Sequence, residues 1–175
     1  HRENLDLGDG FFEMNEASLL AVVEVLRRLR PSVVIANAKS DRHPDHGRAS
    51  ELVSRACFLS GLSKIQTVDD QSGLPQEAWR PRSVYFTIQD RWREPDFVVD
   101  IEGFEEIKSR AIMAYATQFY GGVDDNAPVT PISSPDFLDN LKGRNLAMGR
   151  SGGVRIGEGF EAERPPVVND LFHLA

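Results

Sequence analysis

The sequence predicts an α/β fold, and three observations carry that prediction. A helical pattern of apolar residues runs from Asn15 to Arg30, where Pro31 stops it; an uninterrupted apolar run, residues 33–36, follows at once; and a second helical pattern resumes after a short polar loop. Helix, strand, loop and helix in that order form the unit from which parallel sheets are built. The expected architecture is a Rossmann-like, largely parallel sheet with helices on both faces, in one domain over residues 1–175.

Taken in order, Asn15 suits an N-cap, and Leu19, Val22, Val23 and Leu26 repeat at the i, i+3, i+4, i+7 spacing of one helix face. Val33, Val34, Ile35 and Ala36 read as a strand buried on both faces. From Pro44 to Leu59 the period returns through Ala49, Leu52, Val53 and Ala56, with Pro44 in the first turn and Gly61 as the stop. Residues 84–88 and 97–101 read as strands, and 103–119 as a helix with Phe104, Ile107, Ala111, Ala114 and Tyr115 on its core side. Residues 121–135 are rich in Gly, Pro, Asp and Ser and read as a loop that can act as a lid, before a helix capped by Ser134 with Pro135 at its first position. Gly152 and Gly153 open a last strand through Phe160, and the tail from Pro165 reads as an irregular docking segment. Residues 1–12 read as the middle of a fold, so an earlier strand is expected upstream of His1.

The 175 residues are 41% hydrophobic and include ten Phe, enough for a real core. A net charge of −7 argues against a nucleic-acid partner, which would call for a basic face. Apolar runs such as residues 19–23 are too short to span a membrane, so the expectation is a cytoplasmic protein acting on small molecules. Cys57 is the single cysteine, which leaves histidine and carboxylate as the available metal ligands.

The most specific string is Lys39, Ser40, Asp41, Arg42, His43, Pro44, Asp45, His46, Gly47, which holds two of the four histidines. It lies between a strand and the following helix, where ligands of open parallel sheets sit. Hydrolysis of an amide by zinc needs a metal that polarises the carbonyl and acidifies a water, together with a group that supports the oxyanion. His46 in the first helical turn can point at a metal, while His43 can sit on the same side without coordinating. Asp45 or Asp41 can fix an imidazole tautomer. Read from the residues alone, the string also suits a plain helix N-terminus at which Asp45 caps and the histidines are solvated.

This string resembles the second signature of the LmbE-like, or GlcNAc-phosphatidylinositol de-N-acetylase, superfamily. Arg2, Glu3, Asn4 and Leu5 before the Asp9–Gly10 turn, the run Pro95, Asp96, Phe97, Val98, Val99, Asp100, Ile101, and Gly157, Glu158, Gly159, Phe160 extend the likeness to the bacillithiol-biosynthesis deacetylase branch. The resemblance implies a zinc-dependent N-deacetylase that hydrolyses the acetamide of an N-acetylglucosamine conjugate, most specifically N-acetylglucosaminyl malate. It implies His46 as a zinc ligand, His43 as the group that stabilises the transition state and Asp45 as the residue that orients His43. A homo-oligomer, trimer or hexamer, is implied as well. Relatives also carry an N-terminal His-Pro-Asp-Asp motif that completes the metal site and supplies the base. Nothing here matches it, and His1 is no substitute, because the residues after it match a later segment. The chain is therefore expected to be the C-terminal three-quarters of such an enzyme. A non-catalytic sugar-binding subunit of the same fold, or a deacetylase of another N-acyl amino sugar, is the alternative.

Arg42 and Lys39 are candidate contacts for a substrate carboxylate. Tyr120, beside Gly121 and Gly122, is a candidate to close over a sugar. Arg91 and Arg93 around Trp92 suit either an anion or sugar contact or a surface turn. The paired acids Asp69 and Asp70, and Asp124 and Asp125, read as surface, and His173 carries no role.

Overall fold

Asn15 sets where the first helix begins: its side chain accepts the Ser18 N–H at 3.0 Å, and α1 runs Glu16–Leu29. Arg30 closes it in a left-handed conformation, φ 49°, with its N–H on the Leu26 carbonyl. In the computed structural model, which describes residues 1–115, 118 and 130–174, there follow β1 (Val33–Ala36), α2 (Pro44–Ser60), β2 (Ser83–Thr87), β3 (Phe97–Asp100), α3 (Glu105–Met113), α4 (Phe137–Ser151), β4 (Gly157–Ala162) and a 3₁₀ turn at Leu171–Leu174. The fold is α/β. Tyr120 and most of the predicted 121–135 loop, including Asp124 and Asp125, lie outside the described residues.

The chain divides into two units, residues 1–96 with 160–175, and residues 97–159. In the first, β1 and β2 pair in parallel with Val34 opposite Val84 and Ala36 opposite Phe86. Beside β2 lies the Phe160–Ala162 half of β4, antiparallel, with Phe86 opposite Glu161. The sheet of this unit, ordered β1-β2-β4, is therefore mixed. Val23 and Leu26 of α1, Ala56 and Cys57 of α2, and Ala36, Val84 and Phe86 of the strands form one buried cluster, with Val34 packed against it. Burial pushes the Cys57 thiol up to about 12, as an apolar surround disfavours a thiolate.

β1 departs from the expectation of burial on both faces: Val33 and Ile35 are 51% and 59% exposed. A strand presents alternate residues to opposite faces, and α1 and α2 pack on the side of Val34 and Ala36. The buried Arg27 at the end of α1 has no carboxylate partner in this cluster of bonds. It donates instead to the carbonyls of Ser60, Leu62 and Ile65 at 2.7–3.1 Å and to the Thr67 hydroxyl, which closes the C-terminal end of α2.

In the second unit, α4 packs on β3. Gly149 is the contact point in α4, where a Cβ would stand 2.6 Å from the Ile156 Cα. Here α3 overturns the expected core face, because none of its residues is buried and Phe104, Ile107 and Tyr115 are exposed. Helical spacing sorts residues onto a face but does not supply a surface to cover it. Two boundaries also move. α4 starts after Asp136, since Ser134 spends its Oγ as acceptor of the Asp136 N–H in the preceding turn. β4 starts at Gly157, because Gly152 ends α4 and Gly153, φ 80°, makes the turn that follows. Among the described residues no helix is long and apolar enough to cross a membrane.

Candidate metal and catalytic site

The helix that begins at Pro44 leaves backbone N–H groups without partners in its first turn. His43 meets one of them: it takes an extended backbone, φ −82° and ψ 127°, and its Nδ1 accepts the Asp45 N–H at 3.3 Å. So His43, and not Asp45, caps α2. One turn on, the His46 N–H bonds the His43 carbonyl at 3.1 Å, and the two imidazoles lie with centroids 5.4 Å apart at 34°. Both sit half-exposed at the carboxyl end of β1, as the parallel-sheet rule predicts.

The partners of the two rings set opposite tautomers. His43 uses Nδ1 as an acceptor, so the neutral ring carries its proton on Nε2. His46 Nδ1 faces Asp41 Oδ2 at short range and donates to it, which leaves His46 Nε2 a bare lone pair. Asp41 itself is buried, and its Oδ1 accepts the Arg42 N–H at 2.8 Å and the Asp90 N–H at 3.0 Å. Burial on its own would raise the pKa of Asp41. The bonds from His46 and the two backbone N–H groups outweigh it and hold the carboxyl below its ordinary range.

Asp9, His43 and Asp45 each bring a ligand atom within 4.8 Å of one another. Asp45 reaches this position by accepting the Gly10 N–H at 2.5 Å on Oδ2, while Arg48 donates to the Gly10 carbonyl at 3.0 Å. These bonds tie the Asp9–Gly10 turn to the start of α2. The buried Asp45 Oδ1 makes no hydrogen bond, although Arg48 Nη1 stands 3.2 Å away as an ion-pair partner. Arg48 is close but poorly aligned, so that oxygen retains acceptor capacity. Imidazole nitrogen with carboxylate oxygens is a donor set suited to zinc; among the described residues the cluster takes in His43 and not His46, the histidine that the resemblance implies as the ligand. The residues present fit a divalent cation.

The other sequence candidates separate. Arg42 is exposed beside the loop, and Lys39 lies over the Phe86 ring at 4.4 Å; neither is paired with a carboxylate among the described residues. Arg93 is not open to an anion, because it holds the buried Glu161 at 2.9 Å. Asp69 is more than surface, since it stands 3.5 Å from the largely covered Arg28. His173 is exposed in the tail turn. A groove lined by His1, Glu3, Val25, Arg28 and Asp70 contains neither histidine of the loop. Asp9 is visible in the sequence only as a turn residue, and Arg48 and the Asp90 N–H join the site without a sequence signal of their own: a helix arginine and a backbone group look alike in any protein.

No protein-family model matches the chain. Over 118 residues it is 29% identical to the diacetylchitobiose deacetylase of Thermococcus kodakarensis, an alignment covering 66% of this chain and 42% of that protein. The conserved protein TT1542 from Thermus thermophilus superposes with a TM-score of 0.74 at 29% identity, over 92% of this chain and 64% of that one. Two further structures share the fold. The N,N'-diacetylchitobiose deacetylase from Pyrococcus horikoshii, complexed with its inhibitor MPG, has a TM-score of 0.69 at 22% identity, over 90% of this chain and 54% of that one. GalB, the 4-carboxy-2-hydroxymuconate hydratase of Pseudomonas putida, has a TM-score of 0.70 at 21% identity, over 97% of this chain and 67% of that one. The likeness to the Thermococcus deacetylase fits the superfamily that the histidine loop resembles. The match spans less than half the length of the Thermococcus deacetylase.

Proposed function

We propose that the chain forms part of a zinc-dependent carbohydrate N-deacetylase, which splits the acetamide of an N-acetylglucosamine conjugate into acetate and a free amine. The observation that carries this reading is the pair of different Nδ1 contacts in one helical turn, a backbone N–H on His43 and the Asp41 carboxylate on His46, which call for opposite tautomers. The likeness to diacetylchitobiose deacetylase supports it. The hydratase of similar fold supports the architecture but not the reaction, since one fold hosts many chemistries.

In this reading His46 Nε2 would be a ligand of a Zn²⁺, as the resemblance implies, although the residues whose ligand atoms lie together are Asp9, His43 and Asp45. Bound there, the ion would polarise the acetamide carbonyl and acidify a water. His43 Nε2–H would donate to the carbonyl oxygen as it gains charge, and in its protonated form to the departing amine nitrogen. Asp45 orients His43 through its backbone N–H, because its carboxylate stands 4.0 Å from the ring nitrogen. Lys39 and Arg42 would meet the acidic part of a conjugate.

The conjugate is N-acetylglucosaminyl malate by the resemblance of the flanking segments, and a diacetylchitobiose-type sugar by the likeness to the Thermococcus deacetylase. Acetate release from both compounds by the zinc-loaded protein separates them. Arg42→Ala is expected to raise KM for the malate conjugate and to leave a neutral sugar unchanged. A protein that binds zinc and the sugars yet releases no acetate would instead be the non-catalytic binding subunit. Self-association as a trimer or hexamer belongs to the same proposal, and light scattering tests it.

A further inference from the structure

Asp41 divides its two oxygens between two tasks. Oδ1 accepts the N–H of Arg42, in the loop after β1, and the N–H of Asp90, in the loop after β2. Oδ2 faces His46 Nδ1. β1 and β2 are parallel neighbours, so one buried carboxylate joins the loops that leave their carboxyl ends and presents its remaining oxygen to an imidazole on α2. With Oδ1 saturated by two donors, the complementary partner for Oδ2 is an N–H, and the ring that supplies it must leave its other nitrogen unprotonated.

We propose that Asp41 is a positioning residue that fixes His46 in the Nδ1–H tautomer and aims Nε2 at the site, while anchoring that geometry to the β2 loop through the Asp90 N–H. What Nε2 then binds rests on the deacetylase reading; the tautomer does not. The division of oxygens makes Asp41→Asn a selective probe. An amide oxygen in place of Oδ1 keeps both backbone bonds, and the amide NH₂ in place of Oδ2 offers His46 a donor where it had an acceptor. The ring must then accept at Nδ1 and carry its proton on Nε2. A carboxylate-to-amide exchange of this kind fixes the wrong tautomer in the serine protease triad while leaving its geometry intact.

The test is long-range ¹H–¹⁵N spectroscopy of the histidine rings in the metal-free full chain, above the ordinary histidine pKa of about 6.5, with His46→Gln to assign the signal. The wild type is expected to show His46 protonated on Nδ1, and Asp41→Asn to move the proton to Nε2 with the Arg42 and Asp90 amide signals little changed. Zinc affinity should fall on the order of 10- to 100-fold, as for other residues that orient a ligating histidine. A wild-type His46 protonated on Nε2 overturns the proposal, and so does an Asp41→Asn protein with unchanged tautomer and zinc affinity. If Asp41→Asn does not fold, the wild-type spectrum still decides. A wild-type Nδ1–H with no acetate released from either sugar removes the deacetylase reading and leaves the role of Asp41 standing.

Discussion

At the scale of single residues, two histidines three positions apart are made chemically different by what touches Nδ1. A backbone N–H meets Nδ1 of one ring and a buried carboxylate meets Nδ1 of the other, which leaves an N–H at His43 Nε2 and an unprotonated Nε2 at His46. His46→Ala is therefore expected to lose stoichiometric zinc by isothermal titration calorimetry. His43→Ala should keep the metal and slow kcat on the order of 10²- to 10³-fold. Equal metal loss in both variants would refute the division of roles, and the proximity of His43 to Asp9 and Asp45 makes that comparison a demanding one. Asp41 also carries a pH signature. Its pKa in the folded protein lies below the ordinary value of 3.8, so the stability it contributes is present above that value and lost as pH falls through and below it. The urea midpoint of the metal-free protein should drop steeply there, and Asp41→Asn, which has no proton to take up, should flatten the drop.

At the scale of elements, what was legible in the sequence follows from how local the signal was. α1 and α2 are announced by their own ends: Asn15 caps through its own side chain, Pro44 sits where its missing N–H costs nothing, and the apolar stripes have a partner in each other. α3 carries the same kind of stripe but lacks cover, since Phe104 and Ile107 read alike whether or not a surface lies opposite them. Val33 and Ile35 mislead for the same reason. In the candidate site, the histidine string was legible as a motif, whereas Arg48 and Asp90 arrive only through the fold. The two glycines of α4 measure how closely the second unit is packed. Gly149→Ala puts a methyl into the Ile156 and Gly157 backbone and is expected to destabilise by about 1–3 kcal/mol. Gly143 has open space around it, so Gly143→Ala should stabilise by up to about 1 kcal/mol through helix propensity alone. Denaturant midpoints of the pair check both signs; a stabilising Gly149→Ala would mean that α4 does not sit against residues 156–157.

At the scale of the whole molecule, the proposed metal is placed at loop ends while the apolar cluster of the first unit lies between the helices and the strands. Val23, Leu26, Ala36, Ala56, Cys57, Val84 and Phe86 are buried without help from any residue of the Asp9, His43, Asp45 group. That separation distinguishes this chain from small metal-nucleated domains, which unfold when the ion is removed because binding supplies their folding energy. Chelation with EDTA is therefore expected to leave the far-UV circular dichroism near its starting value and a cooperative thermal transition in place. Zinc should stabilise only by linkage, about 2.7 kcal/mol at a free concentration roughly 100 times Kd, and the midpoint should climb with the logarithm of zinc added. Asp41→Asn should need more zinc for the same gain, since the ligating nitrogen is then protonated in the free protein. A chain that loses its helical signal on chelation would place the metal inside the folding core, and the histidine loop would then be a structural centre rather than a site built on a scaffold already folded.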